Sequence, residues 1–185
     1  VQSFKINTHY AKALFMLAEE TGKTEQVAED MRLVCRVGRE NHLLGVVFAN
    51  PNIKVAKKQA IIHDLFEGKV CDVTLAFLHY VMRKKRSMNT VGIGEAFLEQ
   101  YRRSRGITLT RLTTAEPASD DIKRLVEQRV ADFTHNRVEL VTKEDSRIIG
   151  GLAMEFDNRM YDARISSMLL RLRQSFGHNV YESKL

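Results

Sequence analysis

The chain has 185 residues, 44% of them hydrophobic, with two prolines and no tryptophan. That length and apolar content suit one or two domains with real cores, and they exclude a disordered or low-complexity chain. The formal charge is +6 and unevenly placed: residues 1–106 hold 17 Lys and Arg against 11 Asp and Glu, whereas residues 107–185 hold 12 of each. Such asymmetry predicts two units that meet different partners.

The first part reads helical throughout. "HYAKALFMLAEETGK" puts Tyr10, Leu14, Leu17 and Ala18 on one stripe at spacings of three and four, with Ala11, Ala13 and Phe15 widening it. Thr8 is the expected cap and Gly22 the expected stop. A second helix is predicted from about Thr24 to His42, with Val27, Met31, Val34, Cys35 and Gly38 inward. A short segment, "HLLGVVFANP", ends at Pro51. "NIKVAKKQAIIHDLFEGK" gives the next helix, closed by Gly68. "VCDVTLAFLHYVMRKKRS" is the most apolar, with Val73, Ala76, Phe77, Tyr80 and Val81 on a broad buried face. A last helix runs from about Asn89 to Arg105, carries Ile93, Ala96, Phe97, Gln100 and Tyr101, and ends at Gly106. Five or six helices with short connections predict a compact bundle.

At Gly106 the pattern changes. "ITLTRLTTA" alternates and is rich in β-branched residues, which predicts a strand. Pro117 and Ser119 start a helix in which Ile122, Leu125, Val126, Arg129, Val130 and Phe133 recur at a period near 3.6. "RVELVTK" alternates again, and "LAMEFD" sets Leu152, Met154 and Phe156 on one face. "DNRM" is expected to turn that strand back, and "ARISSMLLRLRQSFG" to cover it as a helix, with Ile165, Leu169, Leu172 and Phe176 in line and Gly177 as the stop. The expected fold class is α+β: an N-terminal all-α bundle of six helices over 1–106, then a small β-α-β-β-α unit over 107–185.

No apolar run approaches the roughly 18–20 residues that span a membrane. The opening "VQSFKINTHYAK" lacks an apolar central region and a small-residue cleavage site, so no signal peptide is expected. Cys35 and Cys71 sit far apart within helical patterns, which predicts buried thiols in a reducing compartment. The six histidines never form an HxxxH pair or a Cys–His block, so no metal site is expected.

The candidates for chemistry weaken on inspection. "VGIGEAF" at 91–97 contains G-x-G but lacks a third glycine and a preceding strand, so its small residues suit close helix packing. Gly150 and Gly151 follow Ile148 and Ile149 but lead into a strand, whereas a phosphate cradle aims its amides from a helix N-terminus. These glycines, with Asp145 before them and Asp162 before the last helix, are therefore read as structural. They let the chain turn where a side chain would collide with neighbouring backbone. There is no G-x-S-x-G elbow and no HExxH, and Glu19–Glu20 and Asp120–Asp121 are solvated helix faces. No cofactor is implied. The basic runs "RKKR" at 83–86 and "RRSR" at 102–105 could bind phosphate backbones, which keeps a nucleic-acid-binding helical protein as the alternative reading. Both runs end predicted helices, where cations complement the dipole without any such ligand.

A further signal is the order of several blocks. "HYAKALFMLAEETGK" at 9–23 resembles the opening motif of the delta subunit of F-type ATP synthases, the family that includes the mitochondrial oligomycin-sensitivity-conferring protein. "ANPNIKVAKKQAIIHDLF" at 49–66, "LAFLHYVMRKKRSMNTVGIGEAFLEQYRRSRGI" at 75–107, "TTAEPAS" at 113–119 and "DSRIIGGLAMEFDNRMYDARISSMLLRL" at 145–172 resemble its later blocks, in the family's order. The chain departs from that pattern at Asp157-Asn158-Arg159 and at Asp162-Ala163-Arg164.

The resemblance implies a non-catalytic stator subunit, present once per complex. Its helical domain would bind the N-terminal helix of an alpha subunit, and its C-terminal domain the distal ends of the b subunits of the peripheral stalk. No nucleic acid is implied as a partner. Membrane association would be indirect, at the cytoplasmic face of a bacterial inner membrane or in an organellar complex. The implied groove lies between the first and fifth helices, giving Tyr10, Ala11, Ala13, Leu14 and Ala18 on one side and Phe77, Leu78, Val81 and Met82 on the other. Lys12, Lys84 and Lys85 beside it could steer an acidic partner segment.

Overall fold

The N-terminal sequence stays helical over 19 residues because nothing in it breaks a helix: Gln2–Glu20 contains no glycine or proline. In the computed structural model, which describes residues 2–157 and 159–177 and, at the ends of that range, not the side chains of Gln2, Phe176 and Gly177, this is α1. Of the expectations above, Asn158 in its turn and Phe176 on its stripe lie outside the described residues and side chains. Thr8 does not cap α1. It sits inside the helix, and its hydroxyl donates to the Phe4 carbonyl at 3.0 Å.

The chain divides into two units, residues 1–105 and 106–185. In the first, α1 is followed by α2 (Thr24–Glu40), α3 (His42–Ala49), α4 (Val55–Phe66), α5 (Asp72–Arg83), a 3-10 turn (Ser87–Asn89) and α6 (Thr90–Ser104). The expected run from Thr24 to His42 is broken at Asn41, whose side-chain and backbone N–H groups both donate to the Val37 carbonyl. "HLLGVVFA" then forms a helix of its own, α3, rather than a connecting segment.

α6 packs on both α1 and α2. Phe97 is fully buried and meets Phe15 of α1 with ring centroids 6.0 Å apart. Against α2 the approach is closer than side chains allow. A Cβ on Gly94 would stand 2.5 Å from the Cys35 sulfur, and one on Gly38 2.5 Å from Val91 Cγ2. The G-x-G of α6 thus serves helix crossing. Cys35 is sealed in that crossing, and burial pushes its thiol up to about 11. A second core cluster joins Val34 of α2, Ile62 and Phe66 of α4, and Leu78 and Met82 of α5.

Two buried polar groups tie these helices together. The Asp30 carboxylate on α2 accepts the Cys71 N–H at the start of α5 (2.9 Å), satisfying one of the donors that a helix start leaves orphaned. The Lys58 ammonium donates to the Phe48 carbonyl at the end of α3 (2.7 Å) and to the Ser87 hydroxyl (3.0 Å). The Ser87 hydroxyl donates to the same carbonyl.

The second unit is a four-stranded mixed sheet of order β2-β1-β3-β4, with β1 at Ile107–Thr114, β2 at Arg137–Glu144, β3 at Leu152–Phe156 and β4 at Arg159–Asp162. The helix α7 (Asp120–Thr134) is the crossover between the parallel strands β1 and β2, while β3 and β4 add antiparallel. Ser119 caps α7 by accepting the Ile122 N–H. The expected β-α-β-β-α order lacks β4, which at four residues is too short for alternation to be read.

The core lies on the α7 face: Leu112, Val126 and Val130 are buried, with Val138, Leu140, Leu152, Met154 and Phe156 packed around them. β1 sends Thr108, Thr110 and Thr114 to that face as well. Asn136 donates to the Thr108 hydroxyl, and the Thr114 hydroxyl donates to the Glu116 carbonyl. The Thr110 hydroxyl has no partner among the described residues. The last helix, α8 (Ile165–Gly177), does not cover the sheet as its periodicity predicts: Ile165, Met168, Leu169, Leu170 and Leu172 are all exposed.

Candidate docking surfaces

Burial sorts the nine residues expected to line a partner groove. Ala11, Leu14 and Ala18 are fully buried, because the side of α1 that carries them is the side turned into the core. Leu78 and Met82 belong to the core cluster with Val34, Ile62 and Phe66, and Val81 is buried beside them. These six are buried in the bundle. Phe77 is only 8% exposed. Tyr10 and Ala13 alone are open, Tyr10 in part and Ala13 freely.

The open residues still mark a surface between α1 and α5. Tyr10 leans on Tyr80, with centroids 6.3 Å apart and planes tilted at 45°. Ala13 and the exposed Leu17 follow Tyr10 at helical spacings of three and four, and the exposed Ala76 precedes Tyr80 by four. Periodicity alone had assigned Leu17, Ala76 and Tyr80 to the stripe or the buried face. A helix with two apolar faces does not say which one is outermost.

In the second unit the glycine pair lies against the start of α8. Gly151 has φ +83, in the left-handed region. A Cβ there would press into the Ala163 carbonyl oxygen and stand 3.1 Å from Arg164 Cα. The Ile165 N–H donates to the Gly150 carbonyl (3.0 Å) and the Ala163 N–H to the Leu152 carbonyl (2.9 Å). The Gly150 carbonyl is therefore spent on the chain's own backbone.

Two Asp-x-Arg clips flank this segment, and the part played by their arginines was not anticipated from sequence. The Asp145 carboxylate accepts the Arg147 N–H (3.1 Å) and two guanidinium N–H groups, both at 2.9 Å. Asp162 does the same with Arg164 and also accepts the Ser167 hydroxyl (2.8 Å). Hydrogen bonds from Arg147 hold the Asp145 carboxyl down to about 2, and those from Arg164 and Ser167 hold Asp162 well below the usual carboxylate range. In both places the aspartate places the backbone turn, with the arginine as a bidentate brace.

Beyond the clips, Ile165, Leu169 and Leu172 of α8 recur at spacings of four and three, the spacing of a helix–helix seam. Arg171 and Arg173 stand on the same helix, and its sequence holds no acidic residue. Among the described residues no group of three His, Cys, Asp or Glu side chains could hold a metal ion, and no helix is long and apolar enough to cross a membrane.

Comparison with known proteins adds the decisive observation. The family model for the ATP synthase delta (OSCP) subunit matches residues 6–176. The chain belongs to that family. It is similar to ATP synthase subunit delta of Cytophaga hutchinsonii, with 32% identity over 176 residues covering 95% of this chain and 96% of that one. It is also similar to the delta subunit of Salinibacter ruber, with 33% identity over 168 residues covering 89% and 86%. Among solved structures, a chain of the Toxoplasma gondii mitochondrial ATP synthase hexamer, determined by cryo-EM, superposes with a TM-score of 0.74. That superposition covers 92% of this chain and 96% of the other at 17% identity, a likeness of fold.

Proposed function

We propose that the chain is the stator connector of an F-type ATP synthase and catalyses nothing itself. In this reading the α1/α5 surface binds the N-terminal helix of an alpha subunit, and the second unit, through α8, holds the distal ends of the b subunits of the peripheral stalk. The connection keeps the alpha–beta head from turning with the central shaft, so that ion flow yields ATP. One copy serves each complex. Its membrane association is indirect, at the cytoplasmic face of a bacterial inner membrane.

The observation that carries this reading is, among the described residues, an exposed apolar helical surface in each unit of a chain of this family. Tyr10, Ala13, Leu17 and Tyr80 form one, and Ile165, Leu169 and Leu172 the other. Leaving one such side chain in water rather than against a partner forgoes about 1.5–3 kcal/mol when its burial would be complete. A few of them per interface suffice for micromolar binding after the cost of association. The test is calorimetry of the chain with a synthetic peptide copying the N-terminal helix of an alpha subunit and, separately, with a peptide copying the distal end of a stalk b subunit. Saturable binding of each is expected. No heat with the alpha peptide at tens of micromolar overturns the assignment of the first unit.

A further inference from the structure

One end of the α1/α5 surface is built of cations. The Arg83 guanidinium lies 5.6 Å and the Lys84 ammonium 5.4 Å from the centre of the Tyr80 ring, and Tyr80 in turn meets Tyr10. Lys85 and Arg86 follow, and all four are exposed. Elsewhere in this unit four arginines are paired, Arg32 with Glu29, Arg39 with Glu95, Arg103 with Glu99, and Arg105 with Glu25, while Arg36 is exposed and, among the described residues, has no carboxylate partner. Among the described residues no carboxylate pairs with Arg83, Lys84, Lys85 or Arg86.

The cluster is also fixed in place. The Arg86 N–H donates to the Val81 carbonyl and the Lys85 N–H to the Met82 carbonyl, the paired bonds that close a helix C-terminus. Lys85 takes φ +58 there, a position where glycine is the usual choice. A cation is therefore held at a backbone position that disfavours any side chain.

The opposite end of the surface carries carboxylates, beside Lys23 and Lys69. The Thr24 hydroxyl at the start of α2 donates to the Ala18 carbonyl near the end of α1. Asp30, in the first half of α2, holds the Cys71 N–H at the start of α5. The start of α5 therefore lies toward the carboxyl end of α1, while its end reaches back to Tyr10. That places Asp72 on the side of Glu19 and Glu20, all three exposed, and the cations at the far end.

We propose that the Arg83–Arg86 cluster, with Tyr80 as its platform, receives carboxylates at one end of the docking helix and so decides which way round that helix lies. The occupant is an amphipathic helix with an apolar stripe and acidic residues at a single end. The inference rests on the docking surface described under Proposed function and adds its polarity. Opposite charges across an interface set register and reject the reversed arrangement, and they do so in a salt-dependent way. Tyr80 contributes by holding two cations over its ring face.

The test uses the full chain and three synthetic amphipathic peptides that share one apolar stripe. Their carboxylates lie in the first turn, in the last turn, or nowhere. By calorimetry at low salt, one acidic-ended peptide binds about tenfold more tightly than the other two, and the preference fades in about 0.5 M salt. The double variant Arg83→Glu with Lys84→Glu, its fold checked by circular dichroism, loses the preference. Equal binding by all three peptides overturns the polarity and leaves the docking surface standing, as does a preference that survives in the double variant. Failure of every peptide, the uncharged one included, overturns both. Tighter binding of a nonspecific DNA duplex than of any peptide, lost in the double variant, assigns the cluster to phosphate backbones instead.

Discussion

Replacing Gly151 by valine tests the close approach of the glycine pair to the start of α8. The substitution places a β-branched residue at φ +83, which costs about 1–2 kcal/mol in the left-handed region, and more for a branched side chain. It also drives a Cβ into the Ala163 carbonyl oxygen, with Ala163 C at 3.2 Å and Arg164 Cα at 3.1 Å. Those are backbone atoms and cannot rotate away. Relief requires residues 163–165 to move, which strains the Ala163–Leu152 and Ile165–Gly150 hydrogen bonds, each worth about 1 kcal/mol net. The total is on the order of 4 kcal/mol, a large share of what a unit of this size holds. Gly150→Ala is the control, because its Cβ meets only the end of the Ile165 side chain, at 2.9 Å. That atom can swing aside, so a cost under about 1 kcal/mol is expected. Hydrogen exchange read by mass spectrometry should show β3 and β4 deprotected in the valine variant, with α1, α2 and α6 unchanged. If Gly151→Val protects β3 as well as Gly150→Ala does, the close-approach reasoning is wrong.

Ala13→Asp should weaken binding of the alpha peptide about tenfold or more without changing the helical circular dichroism, because Ala13 is exposed, whereas Leu14→Asp should unfold the bundle. Loss of fold in the Ala13 variant would place that residue in the core. Thr110→Val removes a buried hydroxyl that has no partner among the described residues, so urea denaturation should find the variant about 1 kcal/mol more stable; a loss of stability would mean that the hydroxyl is bonded. The folded Asp145 carboxyl titrates below its ordinary 3.8, at about 2, so its clip contributes fully above 3.8 and loses that contribution as the pH falls toward 2. Carboxyl NMR should show Asp145 titrating in that lower range in the wild type, and moved up toward its ordinary value in Arg147→Ala, which keeps only the backbone N–H donor.

Local signals in the chain were enough for most of the helices. Apolar residues at three and four set α1, α2, α4, α5 and α6, since a helix buries whatever recurs near 3.6 residues. The alternation of β1 and the capping serine before α7 are equally local. α3 was missed because "HLLGVVFA" is apolar nearly all round and shows no face, and β4 because four residues cannot display a period. The two Asp-x-Arg clips could have been read from sequence, since an aspartate two residues before an arginine suits both a turn and a bidentate brace.

The primary structure alone dictated the element order apart from α3 and β4, the change of class at Gly106 and, through its ordered blocks, the family. It could not choose between the faces of α1 and α5, because both helices are apolar on more sides than one contact uses. Tertiary packing made that choice. The core took Ala11, Leu14, Ala18, Leu78, Val81 and Met82 inward and left Tyr10, Ala13, Leu17 and Tyr80 at the surface. The same holds for Gly151, where the sequence offered only a glycine beside a strand. The Ala163 carbonyl that forbids a side chain there is twelve residues away along the chain, and only the folded backbone brings it close.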